Sequence, residues 1–359
     1  MDNKYLSDQL ITYIGNKRKL LDNISAAVAC CENVQTVGDL FSGSGVCARL
    51  FKTLPSVTAV VTNDLERYNQ VINNCYLSNP HEFDSKAWDE IYQELIHMPL
   101  VTDGIIYRNY APKITKDIQS GERVFYTAEN AQKIDTYRQG IDKICPDHMK
   151  PFFIAPLLSS ASVHTNTSGV FKGFYKDKNT GLGAFGGTGK NALDRIMGPI
   201  TIDKPVLHPK TIVHASFNQD INQLITKLPH LDLIYLDPPY NQHPYGSNYF
   251  MLNVINDYVE PQNISRVSGI PADWNRSPYN SKQQIAASLE DVVNKANARY
   301  ILLSYSSDGF LSQEELISIL EKYGSVSFFS QEYNTFRGCR NLVNRDIHIQ
   351  EYLFLLKKE

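Results

Sequence analysis

The sequence lacks the patterns that mark disulfide-rich, metal-binding and membrane proteins. Its 359 residues include only six cysteines, none in a Cys-x-x-Cys pair, and its nine histidines show no matching ligand spacing. We therefore expect reduced thiols and no metal site. No apolar run approaches the length of a membrane span, and residues 1–10 contain no signal-peptide-like apolar segment. These absences favour a cytoplasmic protein without a membrane partner, and 42% hydrophobic residues suffice for a large core.

The sequence also has little net charge. The formal value is −3, so composition alone gives no sign of a nucleic-acid partner. The charge is nevertheless unevenly distributed. Residues 150–215 contain eight basic and three acidic side chains, whereas residues 80–149 contain eight basic and twelve acidic ones. This contrast fits a polarised DNA-binding face, although an ordinary solvated surface also explains it.

Short β-prone runs alternate with helical patterns on both sides of residues 80–210. Strands are predicted at residues 34–40, 57–62, 211–217, 231–236, 300–304, 326–331 and 350–356. This alternation predicts a doubly wound, Rossmann-like α/β domain whose sheet is mostly parallel, with an antiparallel C-terminal edge. Between these parts, helices are predicted at 85–98 and 130–144, followed by a flexible loop at 159–191.

A glycine-containing turn follows the first predicted strand. Gly43, Gly45 and Ala48 have the spacing Gly-x-Gly-x-x-Ala where the strand gives way to a helix. Such a turn lets the backbone approach a ligand at a helix N-terminus. Asp64 ends the second strand nineteen residues after Gly45, in a suitable place to accept hydrogen bonds from ribose hydroxyls. A nucleoside-containing cofactor is therefore expected, and these features alone would also suit NAD.

The segment Asp237-Pro238-Pro239-Tyr240 directly follows the predicted strand at 231–236. The prolines end the strand and stiffen the turn at the sheet edge where ligands usually bind. The Asp237 carboxylate and the Pro238 carbonyl can each accept one N–H of a planar amine, which would aim its lone pair at an electrophilic methyl group. Tyr240 supplies a face on which a base can stack. An ordinary turn is the alternative explanation.

In this chain order, the motifs resemble the D12 class of adenine-specific DNA methyltransferases, which includes the Dam-like enzymes, over most of the chain. The resemblance implies S-adenosylmethionine as cofactor and N6 of a flipped adenine as methyl acceptor. It assigns the catalytic element to Asp237, Pro238, Pro239 and Tyr240. It also implies that Tyr13 lines the cofactor pocket, that Lys17 meets the cofactor carboxylate, and that Asp64 binds the ribose. The remaining cofactor residues implied are Asp39, Phe41, Gly43, Gly45, Asp220 and Asp237, with Asp220 near the cofactor adenine.

The resemblance further implies a target-recognition domain at residues 80–210, inserted into a catalytic domain formed by residues 1–79 and 211–359. Double-stranded DNA is the expected partner, and a separate restriction endonuclease is a possible one. Candidate DNA contacts in the inserted segment and near the C-terminus are Asn166, Lys172, Tyr175, Lys176, Lys190, Arg337 and Arg340. Each of these has a structural or solvated-surface explanation as well.

Several other functions fit parts of the sequence. Cytosine-N4, RNA adenine and protein glutamine methyltransferases all act on planar amines with related motifs. Asp at position 237 and the N-terminal position of Tyr13 and Lys17 resemble the DNA adenine enzymes most. A nicotinamide-dependent oxidoreductase would explain the glycine turn, and an inactive DNA-binding subunit would explain the basic segment.

Overall fold

The computed structural model describes residues 2–334 and 348–359, and its centre is a seven-stranded sheet. The strands are β1 (Thr36–Asp39), β2 (Ala59–Asn63), β3 (Val213–Phe217), β4 (Leu231–Leu236), β5 (Ala298–Ser306), β6 (Gly324–Asn334) and β7 (His348–Lys358). Every predicted strand therefore has a counterpart, and the ends differ by no more than three residues.

The strands are ordered β3-β2-β1-β4-β5-β7-β6. Strands β1 to β5 pair in parallel, with β1 and β4 at the centre. The C-terminal strand β7 lies between β5 and β6 and runs antiparallel to both. The prediction of a doubly wound, mostly parallel sheet with an antiparallel C-terminal strand is confirmed, and β6 is the outermost strand on that side.

Fourteen α-helices surround the sheet within the described ranges. They are α1 (Asp2–Ser7), α2 (Leu21–Ala29), α3 (Val46–Thr53), α4 (Arg67–Leu77), α5 (Ser85–Ile96), α6 (Ile105–Tyr110), α7 (Ala128–Ile144), α8 (Pro151–Val163), α9 (Leu193–Met197), α10 (Ile221–Leu224), α11 (Tyr245–Asn248), α12 (Phe250–Asp257), α13 (Ile285–Lys295) and α14 (Gln313–Leu320). Short 3-10 helices occupy Lys17–Leu20, Pro80–Glu82, Asp147–Met149, Pro278–Asn280 and Glu321–Tyr323.

Both faces of the sheet are covered because successive side chains of a strand point to opposite sides. In β4, Leu233 and Tyr235 belong to one hydrophobic core, which α2 and α3 cover. Ile234 and Leu236 belong to a second core, which α10, α13 and α14 cover. The apolar run at 231–236 is thus the signature of a strand buried on both faces.

Residues 80–210 contribute helices α5 to α8 to a third core. Their buried residues pack together with those of α4 and α12, which flank the sheet. The predicted helix at 130–144 corresponds to α7, in which Ile134, Tyr137 and Ile141 are buried. The inserted segment is therefore attached through a shared hydrophobic core.

The prediction of a loop at 159–191 is wrong at its beginning, where helix α8 continues. Residues 159–163 are the last turn of this helix, and only the rest of the segment is loop. The helix was not recognised because Pro156 lies inside it and because residues 152–158 are buried without interruption. A helix buried on all sides has no amphipathic period in its sequence.

The carboxyl ends of β1, β2 and β4 meet at one edge of the sheet and position the site described below. Strand β7 runs in the opposite direction, so its first residues lie at the same edge. Glu351 of β7 is opposite Ser306, the last residue of β5.

Candidate active site

A cavity at this edge collects residues from widely separated parts of the sequence. Asp39 ends β1, Asp64 follows β2 and Asp237 follows β4, and all three line it. The predicted cofactor residues Tyr13, Lys17, Phe41 and Gly43 line the same cavity. The other lining residues are Ile14, Gly15, Asn16, Ser42, Ser44, Val46, Cys47, Leu65, Glu66, Tyr235, Pro239, Tyr245, Gly246, Asn275, Ser277 and Asn280.

The turn between β1 and α3 requires glycine at two positions. Gly43 has φ 49° and Gly45 has φ 75°, both in the left-handed region. A Cβ atom on Gly45 would lie 2.1 Å from Oδ1 of Asn73. The Asn73 amide in turn donates to Ser42 Oγ and to the Gly43 carbonyl, each at 3.1 Å. Helix α4 therefore holds the turn in place, and a side chain at position 45 would displace that contact.

Asp64 braces the same turn. Its Oδ2 accepts a 2.8 Å hydrogen bond from the Gly43 amide, and its Oδ1 accepts one of 2.8 Å from the Glu66 amide. Burial raises the pKa of Asp64, while these hydrogen bonds oppose the shift. The predicted ribose acceptor thus already shapes the turn in the protein alone.

Asp39 is almost completely buried, with 1% of its surface exposed. Its Oδ2 accepts a 3.0 Å hydrogen bond from the Ala48 amide in the first turn of α3. Its Oδ1 has no hydrogen-bond partner within the described residues. Burial, followed by the nearby charge of Asp237, raises its pKa well above the usual range. An unpartnered buried oxygen beside the cavity is available to a ligand that donates a hydrogen bond or carries positive charge.

Tyr13 forms one wall of the cavity through a stack of three tyrosines. Its ring lies parallel to those of Tyr249, at a centroid distance of 4.7 Å, and Tyr245, at 5.1 Å. Its hydroxyl shares a 2.7 Å hydrogen bond with the Tyr68 hydroxyl and accepts one of 2.9 Å from Asn69. These contacts fix the ring against the glycine turn.

Lys17 makes contacts that differ from the predicted ones. Its Nζ lies 3.1 Å from Asp237 Oδ1 and 3.2 Å from Glu351 Oε2, and only 3% of the residue is exposed. Burial opposes its charge, but the two carboxylates raise its pKa well above the usual value. The expected contact with a cofactor carboxylate stays a prediction; in the protein alone, two acidic side chains engage this cation.

The turn after β4 is stiff and partly enclosed. Pro238 is buried, and the main-chain carbonyl of Tyr240 accepts a 2.9 Å hydrogen bond from the Phe310 amide. The Tyr240 ring meets the Tyr305 ring edge-on at a centroid distance of 5.8 Å. Burial raises the pKa of Asp237 to about 6, Lys17 opposes the shift, and Glu351 adds to it. Asp237 thus remains an anion at neutral pH and accepts protons more readily than a solvated aspartate.

The charge of the cavity distinguishes between classes of cofactor. Its lining contains four acids, Asp39, Asp64, Glu66 and Asp237, and one cation, Lys17. A ligand that carries a sulfonium and an ammonium group favours the ionised forms of these acids and is attracted by them, whereas the pyrophosphate of a dinucleotide is repelled by every acid that is ionised. The residues present therefore fit S-adenosylmethionine better than NAD.

Four predicted residues are not among those that line the cavity. Asp220 is the N-cap of α10, where its Oδ1 accepts a 2.9 Å hydrogen bond from the Asn222 amide. Gly45 acts through the shape of the turn, and Pro238 and Tyr240 are the chain neighbours of Pro239, which does line the cavity.

Sequence reasoning missed several residues of the cavity. Glu66 is 3% exposed, and burial followed by Asp64 raises its pKa to about 7. Asn275 comes from the irregular segment 261–281 and donates to the Leu65 carbonyl at 3.0 Å and to Glu66 Oε2 at 3.1 Å. The only sequence signal was the polar character of this long segment, because nothing local shows where it returns to the sheet.

The predicted DNA contacts separate into buried and accessible residues. Asn166 is fully buried; its amide donates to the Val124 and Ala184 carbonyls, and its Oδ1 accepts from the Gly186 amide. Because these bonds use its polar atoms, the expected DNA contact of Asn166 is corrected to a structural role. Lys172, Lys176 and Lys190 are exposed and Tyr175 is partly buried.

The loop that carries these lysines is held by its own hydrogen bonds, such as Ala184 N to Tyr175 O at 2.9 Å. It borders an open cleft lined by Ser168, Phe174, Tyr175, Lys176, Lys178, Gly187, Thr188, Gly189 and Asn191. The expected loop is thus a turn-rich segment with internal hydrogen bonds. Arg337 and Arg340 lie outside the described residues.

Within residues 2–334 and 348–359, no group of three or more His, Cys, Asp and Glu side chains has the geometry to hold a metal ion. In the same ranges, no helix combines the length and apolarity needed to cross a membrane.

Comparison with known proteins points to one class. The family model of the D12 class N6 adenine-specific DNA methyltransferases matches residues 13–323. The Type II methyltransferase M.NlaIII of Neisseria lactamica is 30% identical, over 97% of this chain and 99% of that protein. The Type II methyltransferase M.CviAII of Paramecium bursaria Chlorella virus 1 is 31% identical, over 96% and 98%. The Type II methyltransferase M.FokI of Planomicrobium okeanokoites is 27% identical over 97% of this chain but 52% of that protein.

Proposed function

Because the chain belongs to the D12 class of N6 adenine-specific DNA methyltransferases, we propose that Asp237 and the Pro238 carbonyl hold the target amine during methyl transfer. The enzyme methylates N6 of adenine in DNA, with S-adenosylmethionine as methyl donor. Family membership favours DNA adenine over cytosine-N4, RNA and protein glutamine acceptors. The anionic cavity argues separately against a nicotinamide cofactor.

The proposal depends on the position and the basicity of the Asp237 carboxylate. Its carboxylate borders the cavity on a proline-stiffened turn, and its pKa is raised to about 6. The exocyclic amine of adenine is a weak nucleophile because its lone pair is delocalised into the ring. Two acceptors, one on each N–H, pull the nitrogen toward tetrahedral geometry and localise that lone pair. Positive charge that develops on N6 during transfer is stabilised by the adjacent carboxylate.

Tyr240 serves as the stacking face for an adenine that has left the helix. Its ring is fixed from one side by Tyr305 and remains partly exposed. Stacking on an aromatic ring contributes about 1–3 kcal/mol per base, comparable with the few kcal/mol needed to extrude a base. A preformed aromatic face therefore offsets much of the cost of base flipping.

The residues that would hold the cofactor surround the glycine turn. Tyr13, Phe41 and Gly43 line the cavity, Asp64 accepts ribose hydroxyls, and Asp39 contributes its unpartnered oxygen. When bound, S-adenosylmethionine supplies an electrophilic methyl group on a sulfonium. Asp220 caps α10. Its proposed part in cofactor binding is therefore indirect, through the position of this helix.

We propose that residues 80–210 form the target-recognition region and that Lys172, Tyr175, Lys176 and Lys190 contact duplex DNA. The exposed lysines and the cleft beside them support this role. We also propose that the protein acts in the cytosol with a separate cognate restriction endonuclease. The relatives called Type II methyltransferases and modification methylases support that partnership.

Replacement of Asp237 by alanine tests the catalytic proposal. The substitution removes one amine acceptor and should reduce methylation by about 10³-fold or more, while S-adenosylmethionine still binds. The measurement combines labelled S-adenosylmethionine, unmethylated plasmid DNA and nucleoside analysis, with calorimetry for cofactor affinity. Asp203→Ala removes an exposed carboxylate from the inserted segment and should retain full activity. Near-normal turnover of Asp237→Ala would refute the assignment.

A further inference from the structure

The buried carboxylate of Glu351 has no role in the mechanism described so far. Only 4% of this residue is exposed, although it lies on a strand near the C-terminus. Its Oε2 is 3.2 Å from Lys17 Nζ, which is also 3.1 Å from Asp237 Oδ1. One ammonium group thus lies between two carboxylates, and the second carboxylate is the proposed amine acceptor.

Stability does not explain this arrangement. A buried carboxylate costs several kcal/mol unless it is paired, and a neutral side chain of similar size would avoid that cost. Here the buried Glu351 and the partly buried Asp237 share one cation, so the three groups have a net charge of −1 when both acids are ionised. Such an arrangement destabilises the fold relative to a single pair, which suggests that it serves the chemistry.

The antiparallel direction of β7 is what brings Glu351 into the site. The parallel strands contribute residues that follow their last position, whereas β7 contributes one near its beginning. The side chain approaches Lys17 from the side of β5, and Asp237 approaches from β4. Lys17 is thereby held from two directions.

We propose that Glu351 is a positioning residue for methyl transfer: it shares the Lys17 ammonium with Asp237, so that Asp237 accepts from the adenine amine more strongly than a carboxylate that has this cation to itself. This inference rests on the proposed role of Asp237. The ion pair joins Lys17 Nζ to Oδ1 of Asp237 at 3.1 Å. If Lys17 belonged to Asp237 alone, the pair would be closer to neutral and the carboxylate would be a weaker acceptor.

Other titratable groups also face Asp237, and their charges have to remain constant in a test. Lys17 and Glu351 are the two charges that shift the pKa of Asp237. The remaining titratable neighbours are Asp39 of β1, Cys47 of α3, Tyr235 of β4, Tyr240 of the turn after β4 and Tyr245 of α11. Burial raises the pKa of Asp39, Cys47 and the three tyrosines. Glu351 and Lys17 are therefore the pair to vary.

The test is the pH dependence of single-turnover methylation of unmethylated plasmid DNA with saturating labelled S-adenosylmethionine. Glu351 raises the pKa of Asp237, so Glu351→Gln should move the acidic limb of the profile to lower pH. It should also reduce the plateau rate on the order of tenfold, because a less basic carboxylate is a weaker acceptor. Lys17→Met should move the acidic limb in the opposite direction.

Two controls separate this role from a purely structural one. Glu321→Gln makes the same chemical change at an exposed residue just before β6, at the opposite edge of the sheet from the cavity. It should leave the profile unchanged. In a Lys17→Met background, Glu351→Gln should change the plateau rate much less than in the parent, since no ammonium remains for the two carboxylates to share. An unshifted acidic limb in Glu351→Gln, or plateau effects of the two substitutions that multiply independently, would overturn the inference.

The outcome is distinguishable from failure of the catalytic proposal. If Asp237→Ala is inactive while Glu351→Gln behaves like Glu321→Gln, only the inference about Glu351 fails. If Asp237→Ala is active, both fail. Should Glu351→Gln not fold, Glu351→Asp withdraws the carboxylate by about 1.5 Å and should shift the acidic limb in the same direction by less. An unshifted limb in that variant also overturns the inference.

Discussion

At the scale of single residues, the site depends on a carboxylate whose surroundings oppose its charge. Burial raises the pKa of Asp237 from 3.8 to about 6, while Lys17 keeps it from rising further. A carboxylate with such a pKa is ionised at neutral pH and yet basic enough to accept strong hydrogen bonds from a weakly acidic amine. The environment thus suits Asp237 to its proposed role as an acceptor for N6.

We predict that methylation falls as the pH decreases through about 6, because protonated Asp237 no longer accepts from the amine. Stability should respond in the opposite direction. The folded state binds this proton more tightly than the unfolded state, so the contribution of Asp237 to stability increases as the pH falls from about 6 to about 4. Single-turnover rates and circular dichroism across this interval test both statements. Loss of activity that coincides with unfolding would contradict them.

At the scale of structural elements, the turn between β1 and α3 connects the sheet to the cofactor cavity. Two glycines with positive φ shape it, Asp64 holds it from β2, and Asn73 holds it from α4. Each contact comes from a different element, so the turn is defined by tertiary packing as well as by its glycines.

We predict that Gly45→Ala lowers both the free energy of unfolding and the affinity for S-adenosylmethionine. The left-handed conformation alone costs an alanine about 1–2 kcal/mol, and the new Cβ also displaces Asn73. Gly181→Ala is a matched control, because Gly181 has φ 72° in an open turn with nothing near its Cβ position. That variant should show the backbone cost alone and normal cofactor affinity. Equal effects in denaturant unfolding and calorimetry would show that the Asn73 contact is unimportant.

At the scale of the whole molecule, charges of opposite sign are separated. The cofactor cavity contains four acids and one cation, whereas the loop of the inserted segment presents exposed lysines. Because the net charge is −3, any electrostatic attraction of DNA has to come from this local distribution and not from the total charge. The separation is consistent with the proposal that cofactor and DNA bind to different surfaces of the molecule.

We predict that DNA affinity decreases with salt and that replacing Lys172, Lys176, Lys178 and Lys190 by alanine makes this dependence weaker. Each lysine that contacts a phosphate contributes about 0.9 to the slope of log K against log salt. Lys227→Ala removes an exposed lysine between α10 and β4 and should leave the slope unchanged. Binding of unmethylated plasmid DNA at several salt concentrations is the measurement. A slope that stays the same in the quadruple variant would exclude this loop as the DNA-binding surface.

Local features of the sequence were enough to predict the sheet and the catalytic turn. Apolar runs with turn residues at their ends mark strands, and two prolines after β4 leave little choice of conformation. The capping box of α14 was predictable for the same reason: the Glu315 amide donates to Ser312 Oγ at 3.2 Å, and the Ser312 amide donates to Glu315 Oε2 at 2.7 Å. Helix α8 was missed because complete burial erases the period that identifies a helix.

The sequence by itself determined the fold class, the order of the motifs and the residues of the turns, because these depend on neighbours along the chain. Only the tertiary structure decided how the side chains are used. It paired Lys17 with Asp237 and with Glu351, which is 334 residues away, buried Asn166, and returned Asn275 to the cavity. Such contacts depend on which strand ends and loops lie next to each other in the folded chain, and a local sequence pattern cannot predict them.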